Sequence, residues 1–222
     1  ATCTAAINNG GHVPQDCDQG RDADLTITKV GAGVAGFDFT KFGNDGSTLT
    51  IQDGTWAVGG SEAAGTRWSC VRDNVTGLVW EMKTEANAGI HATNAKVKWA
   101  DRNVLADATN TEALCGIQTW RVPTVVELAT IVNANRLNPA LDTNRFPNGA
   151  GSHWASVPVA GDAANGWVVN FFAGIPILKA KSASMAQRLV SGEYQANDTS
   201  DDRYTVIDGT VTDGVTGLMW KQ

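Results

Sequence analysis

One stretch of sequence occurs twice in this chain, and it constrains the fold more than any other feature. Residues 71–80 read VRDNVTGLVW and residues 211–220 read VTDGVTGLMW, so Val, Asp, Val-Thr-Gly-Leu and Trp recur in one register. In the first copy, Asp-Asn and Gly77 mark a tight turn between two apolar runs, which predicts a strand, a turn and a second strand. We therefore expect a pair of strands at both places.

The rest of the sequence favours short strands around two helices. Several alternating or β-branched runs lie between Gly, Asp and Asn turns over residues 24–60, and this pattern is typical of strands. Apolar spacing predicts a helix over residues 98–108. A second helix is predicted to begin at Pro123, where Thr124 and Glu127 have the spacing of a capping box. Two helices followed by loops and antiparallel strands predict an α+β fold.

Composition and motifs exclude several classes of function. The net charge of −6 and the lack of a basic stripe argue against a nucleic-acid partner. We also expect no membrane span, because the sequence contains no run of 18 or more apolar residues. Glycine-rich nucleotide loops, a G-x-S-x-G elbow and an H-E-x-x-H metal motif are missing, so we expect no catalysis and no bound metal. Acidic residues in segments 16–24 and 198–203 leave calcium open as a cofactor, although neither has the EF-hand pattern.

The four cysteines, Cys3, Cys17, Cys70 and Cys115, form an even set without a C-x-x-C pair. Two disulfides in an oxidising compartment are therefore expected, each stabilising the fold by about 3–4 kcal/mol. Nearness in sequence favours Cys3–Cys17 and Cys70–Cys115, one of three possible connectivities. The chain begins on small residues without Met, as a secreted protein does after its signal peptide is cut, so we expect an extracellular bacterial protein.

Eight tryptophans stand against only two tyrosines. Tryptophan packs well in a core, but its flat apolar face with a polar N–H also stacks on sugar rings. If the loops after the second helix bind a ligand, two tryptophans could stack on a sugar and three polar side chains could bond its hydroxyls. These candidate ligand-binding residues are His153, Trp154, Asp162, Asn165 and Trp167.

Several motifs, in this order along the chain, resemble the Lcl C-terminal domain family of secreted bacterial modules. They are WSCVRDNVTGLVWEMKT (68–84), LCGIQTWRVPTVVELATIV (114–132), NPALDTNRFPN (138–148), HWAS (153–156), WVVNFFAG (167–174) and AQRLV (186–190). The resemblance implies a C-type-lectin-like core with a loop-rich ligand face. It also implies a role in adhesion or in binding extracellular polysaccharide, including sulfated glycans.

The same motifs are similar to parts of the formylglycine-generating enzymes, but those enzymes depend on paired cysteines in their C-terminal part. In this chain the last cysteine is Cys115, so we expect a scaffold without that chemistry. The predicted division is an N-terminal β-rich extension (1–65), an Lcl-like domain (66–192), and a linker with a C-terminal strand pair (193–222).

The second copy of the repeat leaves three possibilities open. It can close the same domain, begin a second module, or leave its subunit and pair with a neighbouring copy, since an edge strand supplies main-chain hydrogen bonds. The predicted assembly-strand residues are Val215, Leu218 and Trp220. The leading hypothesis is a non-catalytic surface module that binds an extracellular polysaccharide or a host or matrix glycan. The alternative is a homo-oligomeric subunit of an extracellular filament, with copies of itself as partners.

Overall fold

The computed structural model describes most of the chain and divides it into two compact units, residues 1–192 and residues 193–222. The described ranges are 7–8, 11–12, 28–33, 36–87, 89–193, 204–207, 209–213 and 219–221. The predicted Cys3–Cys17 disulfide and both acidic segments proposed for calcium lie outside these ranges.

The described part of the first unit is built mainly from strands. They are β1 (Ile7–Asn8), β2 (Gly11–His12), β3 (Phe39–Phe42), β4 (Cys70–Asp73), β5 (Val79–Glu81), β6 (Lys96–Val97), β7 (Ser152–Val159), β8 (Asp162–Asn170), β9 (Ile175–Ala180), β10 (Met185–Ala186) and β11 (Val190–Ser191). The helices are α1 (Val104–Glu112) and α2 (Val125–Thr130), with 3-10 turns at Gly89–His91, Trp99–Asp101 and Leu114–Gly116. This mixture of strands and two helices confirms the α+β class. Among the described residues, no helix has the length and apolar character needed to cross a bilayer.

Two larger sheets organise the first unit. One has five strands in the order β6-β10-β7-β8-β9, and the other has four in the order β11-β5-β4-β3. Strand β10 pairs with β7 in parallel, and the other pairs within these two sheets are antiparallel. Strand β3 comes from the segment predicted as an extension, yet it pairs with β4 across the predicted division at residue 65.

The capping box predicted from sequence is present at the start of α2. The Thr124 hydroxyl accepts a hydrogen bond from the Glu127 backbone N–H, and the Glu127 carboxylate accepts one from the Thr124 backbone N–H. Leu128 and Ile131 are buried beneath the helix, as its apolar spacing predicts. The Glu127 carboxylate also pairs with Arg121 of the WRVPT motif, which ties the start of the helix to the segment before it.

Two sequence predictions were wrong in detail. The region predicted as a helix over residues 98–108 is a 3-10 turn followed by α1, which begins at Val104 and runs on to Glu112. In the described part of residues 24–60, only β3 forms a named strand. The loop after it is held by side chains instead of a strand ladder: Gln52 bonds the backbone of Lys41, and the buried Lys41 ammonium donates to the Gly54 carbonyl.

The core contains two clusters that reflect the tryptophan content. One surrounds the Cys70–Cys115 disulfide, whose formation confirms the second predicted pair, and it includes Trp120. In the other cluster the rings of Trp99 and Trp154 meet edge to face at 5.3 Å. These tryptophans therefore pack in the interior.

The three strands of the second unit are arranged like β3, β4 and β5 of the first unit. They are β12 (Tyr204–Ile207), β13 (Thr210–Asp213) and β14 (Met219–Lys221), joined in that order. Val211 faces Trp220 in the β13–β14 pair, just as Val71 faces Trp80 in the β4–β5 pair. The strand before each pair is also aligned in the same way: Tyr204 of β12 faces Asp213 of β13, as Phe39 of β3 faces Asp73 of β4. Both predicted strand pairs are thus confirmed.

The two copies differ in what surrounds them. Trp80 is fully buried, whereas Trp220 is 48% exposed. Strand β5 pairs with β11 along its other edge, and β14 has no strand in that position within the described part of the chain. The described residues of the second unit therefore form a matching three-stranded sheet in which β14 has no neighbouring strand on its other edge and Trp220 is exposed.

Candidate functional site

A group of charged side chains lies buried at the end of β5. The Glu81 carboxylate is fully buried, and its Oε1 lies 2.7 Å from the Lys83 ammonium and 2.7 Å from His91 Nδ1. The other nitrogen of His91 lies 3.0 Å from the exposed carboxylate of Glu112. The buried Arg188 guanidinium donates to the Glu81 backbone carbonyl at 2.8 Å. We call Glu81, Lys83, His91 and Arg188 the charge cluster.

Electrostatics fix the protonation of the charge cluster. Burial alone would raise the pKa of Glu81, but the Lys83 charge and the His91 hydrogen bond outweigh it and lower that pKa to about 2. Burial opposes the charged form of His91, but its contacts with Glu81 and Glu112 raise its pKa above the ordinary value. Both oxygens of Glu81 are engaged, since Oε2 accepts from the Leu189 backbone N–H at 2.9 Å. The arrangement fastens β5 to the chain beside β11 and leaves no carboxylate of this cluster poised for proton transfer.

Two of the predicted ligand-binding residues lie in the core. His153 is 1% exposed, and burial together with the Arg188 and Lys83 charges lowers its pKa to about 3. Trp154 is fully buried, and its indole N–H donates to the Val97 carbonyl at 2.9 Å. A ligand on the surface of this fold does not touch either side chain, so we correct that part of the prediction.

The other three predicted residues, Asp162, Asn165 and Trp167, all lie on β8. The Asp162 carboxylate accepts hydrogen bonds from the Asn165 side-chain amide at 2.7 Å and the Ala164 backbone N–H at 2.9 Å, so these contacts lie within the first residues of β8. Trp167 is half-buried on β8, next to Val168 of the Trp154 cluster. Because neighbouring strand residues point to opposite faces, Trp167 lies on the face away from Trp154.

A different cleft of about 360 Å³ opens on the five-stranded sheet. Strand β10 creates it, because Ala186 pairs with Lys96 of β6 on one side and with His153 of β7 on the other. We call it the basic cleft; it is lined by Thr93, Lys96, Ala150, Gly151, Ser152, Lys179, Ser184, Met185 and Ala186. Within the described residues, neither lysine ammonium has a carboxylate partner.

The sequence favours residues 148–170 for ligand contacts, and of these only residues 150–152 line the basic cleft. Sequence reasoning missed its two lysines, because they lie on strands far apart in the chain and neither belongs to a recognisable motif. The signal that was available is the composition of IPILKAK, an exposed edge strand that carries cations.

A second cleft of about 350 Å³ lies between the loop after β3 and the region of the charge cluster. We call it the aromatic cleft; it is lined by Asn44, Trp56, Gly60, Ser61, Glu62, Arg67, Trp68, Ser69, Met82, Thr84, His91 and Leu114. The Trp56 indole N–H donates to Glu85 at 3.1 Å, and the ring meets Trp68 edge to face at 5.0 Å. These contacts hold an aromatic side chain at the rim of a polar cleft.

Metal ligation has little support in the part of the chain that the structure describes. That part contains no group of three or more His, Cys, Asp or Glu side chains arranged to hold an ion. The acidic segments considered for calcium lie outside it.

The family model of the Lcl C-terminal domain matches residues 69–191, which is more than half of the 222-residue chain. The chain belongs to this family. The matched region contains both helices, the five-stranded sheet and the whole basic cleft, whereas Trp56, Glu62 and Arg67 of the aromatic cleft precede it. A search of curated proteins found no match.

Proposed function

We propose that this chain is a secreted, non-catalytic protein of the bacterial cell surface that binds extracellular polysaccharides or matrix glycans. The proposal includes a C-type-lectin-like arrangement for residues 66–192. Its ligand site is the basic cleft, and the ligand class is a sulfated or carboxylated glycan. This places the site elsewhere than on the five side chains favoured by the sequence.

The observation that carries the proposal is a pair of cations without carboxylate partners among the described residues, in a chain of net charge −6. Lys96 and Lys179 face one cleft together with the hydroxyl-bearing residues Thr93, Ser152 and Ser184. Ammonium groups attract sulfate or carboxylate, and hydroxyls exchange hydrogen bonds with sugar hydroxyls. Met185 adds an apolar surface against which a sugar ring can pack.

The absence of catalysis is also part of the proposal. Of the two histidines whose side chains are described, His153 is buried and neutral, and His91 is held between two carboxylates. A general base must be free to take a proton within reach of substrate; His153 is buried, and the proton of His91 is held by contacts with Glu81 and Glu112.

The test measures binding of a sulfated oligosaccharide and its desulfated counterpart by calorimetry. Lys96→Gln combined with Lys179→Gln should weaken binding of the sulfated form at least about tenfold, because two charge-assisted contacts are lost. Lys221→Gln changes the net charge outside the first unit and serves as the control. Equal affinity for both glycans, or an unchanged affinity in the double variant, would contradict the proposal.

A second candidate function, a subunit of an extracellular filament, is favoured by the uncovered C-terminal sheet. Val206, Ile207, Met219 and Trp220 are 48–63% exposed there, and β14 is an edge strand among the described residues. Exposed apolar edges are sites of strand pairing between molecules, and the partner in this candidate is a second copy of the chain.

The two copies of the repeat argue for edge addition over replacement. If the second copy took the place of β4 and β5 in a neighbour, Thr210 would stand where Cys70 forms the disulfide. Lys221 would stand where Glu81 balances Lys83, and a buried cluster of cations without a carboxylate is strongly unfavourable.

Light scattering and negative-stain imaging of the whole chain and of a version ending at Gly192 distinguish the candidates. Polymers formed by the whole chain and lost in the shorter version would support a filament subunit. Identical small particles from both would leave glycan binding as the function.

A further inference from the structure

The aromatic cleft shares no lining residue with the basic cleft, and its charged lining residues are Glu62, Arg67 and His91. Its first wall comes from residues 44–69, which almost entirely precede the region matched by the family model. Its second wall comes from Met82, Thr84, His91 and Leu114. This cleft is therefore formed where a segment outside the family match meets the family domain.

The Trp56 ring at the aromatic cleft is held in place by its neighbours. The Arg67 guanidinium lies over the Trp56 ring, with its central carbon 4.9 Å from the ring centroid, and Arg67 is itself paired with Glu85 at 3.2 Å. Glu85 also accepts from the Trp56 indole N–H, so a single carboxylate fixes both side chains. Trp56 is half-buried. A fixed, partly exposed indole loses little conformational entropy when an apolar ring face packs on it.

The floor and rim carry groups that can bond a polyhydroxylated ligand. Asn44, Ser61 and Ser69 line the rim. The Thr84 hydroxyl is buried at the cleft and has no hydrogen-bond partner among the described residues. Buried hydroxyls normally have a partner, and this one belongs to a residue that lines the cleft.

The charges of the aromatic cleft leave one carboxylate without a cation. Arg67 is occupied by Glu85, and His91 lies between Glu81 and Glu112. Glu62 accepts hydrogen bonds from the Asn44 backbone N–H at 2.7 Å and the Ser69 hydroxyl at 3.4 Å. Among the described residues, no Lys, Arg or His forms an ion pair with it. A ligand cation placed beside Glu62 would supply the missing charge.

We propose that the aromatic cleft is a second binding site, and that it takes a positively charged amino sugar such as a glucosamine unit. The sugar ring packs on Trp56, and its ammonium group lies against Glu62. Its hydroxyls bond the polar rim. This site is independent of the basic cleft, so either proposal can fail alone.

The experiment titrates the full chain with a glucosamine tetrasaccharide and with its N-acetylated counterpart, at a pH where the amine is protonated. Acetylation removes the positive charge and keeps the ring, so the acetylated form should bind at least about tenfold more weakly. Glu62→Gln keeps the acceptor oxygen and removes the charge, and it should abolish the preference between the two sugars. Trp56→Ala should weaken binding of both.

Two control variants and one control ligand test whether the preference depends on Glu62 and on a sugar. Asp101→Asn removes the same charge from an exposed position outside the cleft and should keep the preference. The Lys96→Gln and Lys179→Gln double variant should also keep it. A tetralysine peptide tests whether any flexible cation binds equally well.

Several outcomes would overturn the inference. They are equal or tighter binding of the acetylated sugar, no binding of either sugar, and a preference that survives Glu62→Gln. Tighter binding of tetralysine than of the amino sugar, lost in Glu62→Gln, would assign the cleft to a basic segment of a protein partner.

Discussion

Replacing Glu81 with glutamine tests how much the charge cluster contributes to the stability of the first unit. Glutamine keeps the size of the side chain and an oxygen that can accept from Leu189. It removes the negative charge that lies 2.7 Å from both Lys83 and His91. Lys83 and Arg188 would then remain buried as cations without a carboxylate beside them.

The magnitude follows from the protonation of Glu81. Its pKa falls from the ordinary 4.5 to about 2, and each unit is worth about 1.4 kcal/mol, so the charged form is stabilised by about 3 kcal/mol. Breaking a buried ion pair by removing one partner costs about 3–5 kcal/mol in other proteins. We expect the free energy of unfolding to fall by about 3–5 kcal/mol and the melting temperature by about 6–20 °C.

The assay is urea unfolding followed by tryptophan fluorescence, with the Cys70–Cys115 disulfide intact. Because the folded pKa of Glu81 is depressed, its stabilisation is present above the ordinary pKa and is lost as the pH falls toward 2. The difference between wild type and variant should therefore shrink in acid. Lys221→Gln, at the equivalent exposed position of the repeat, should change stability by no more than about 0.5 kcal/mol. A loss below about 1 kcal/mol at neutral pH, or one that persists unchanged in acid, would refute the argument.

Three further predictions concern stability. Replacing Cys70 and Cys115 together with serine opens a bridge between residues 45 apart and should cost about 4 kcal/mol in urea unfolding; a loss under about 1 kcal/mol would contradict it. Thr124→Ala removes the capping oxygen of α2 and should cost about 1 kcal/mol in thermal unfolding, and no change would show that the cap is redundant. His91→Gln should destabilise most below the ordinary histidine pKa, with the effect fading as the pH rises through the elevated folded value; a difference from wild type that grows with pH would be inconsistent with a charged His91.

The fold was predicted best where short-range sequence sets it. The strand pairs of the repeat follow from apolar runs around a Gly turn, and the start of α2 follows from Thr124 and Glu127 three residues apart. The sequence did not predict features that depend on groups distant in the chain. Lys41 belongs to a charged residue type that is usually exposed, but the carbonyl of Gly54 and the ring of Trp68 receive its ammonium in the interior.

The candidate site was harder to predict, because a side chain's exposure depends on what packs over it. HWAS contains a histidine and a tryptophan in a polar region, and both are buried in β7. The lysines of the basic cleft belong to no recognisable motif. Strand β10 brings Lys96 of β6 near β7, because β10 pairs with β6 on one side and, in parallel, with β7 on the other, and no local pattern encodes that parallel pairing.

The sequence by itself determined the family, the α+β class and the repeated strand arrangement, and it favoured the Cys70–Cys115 pair. These depend on residue types, on spacings within a few residues, and on nearness along the chain. Only the tertiary structure decided that Trp80 is fully buried while Trp220 is 48% exposed. Similar local patterns form matching strand pairs, but burial and charge balance come from the chain that surrounds each pair. Strand β11 and Lys83 contact the first copy, and no described strand takes the place of β11 at the second.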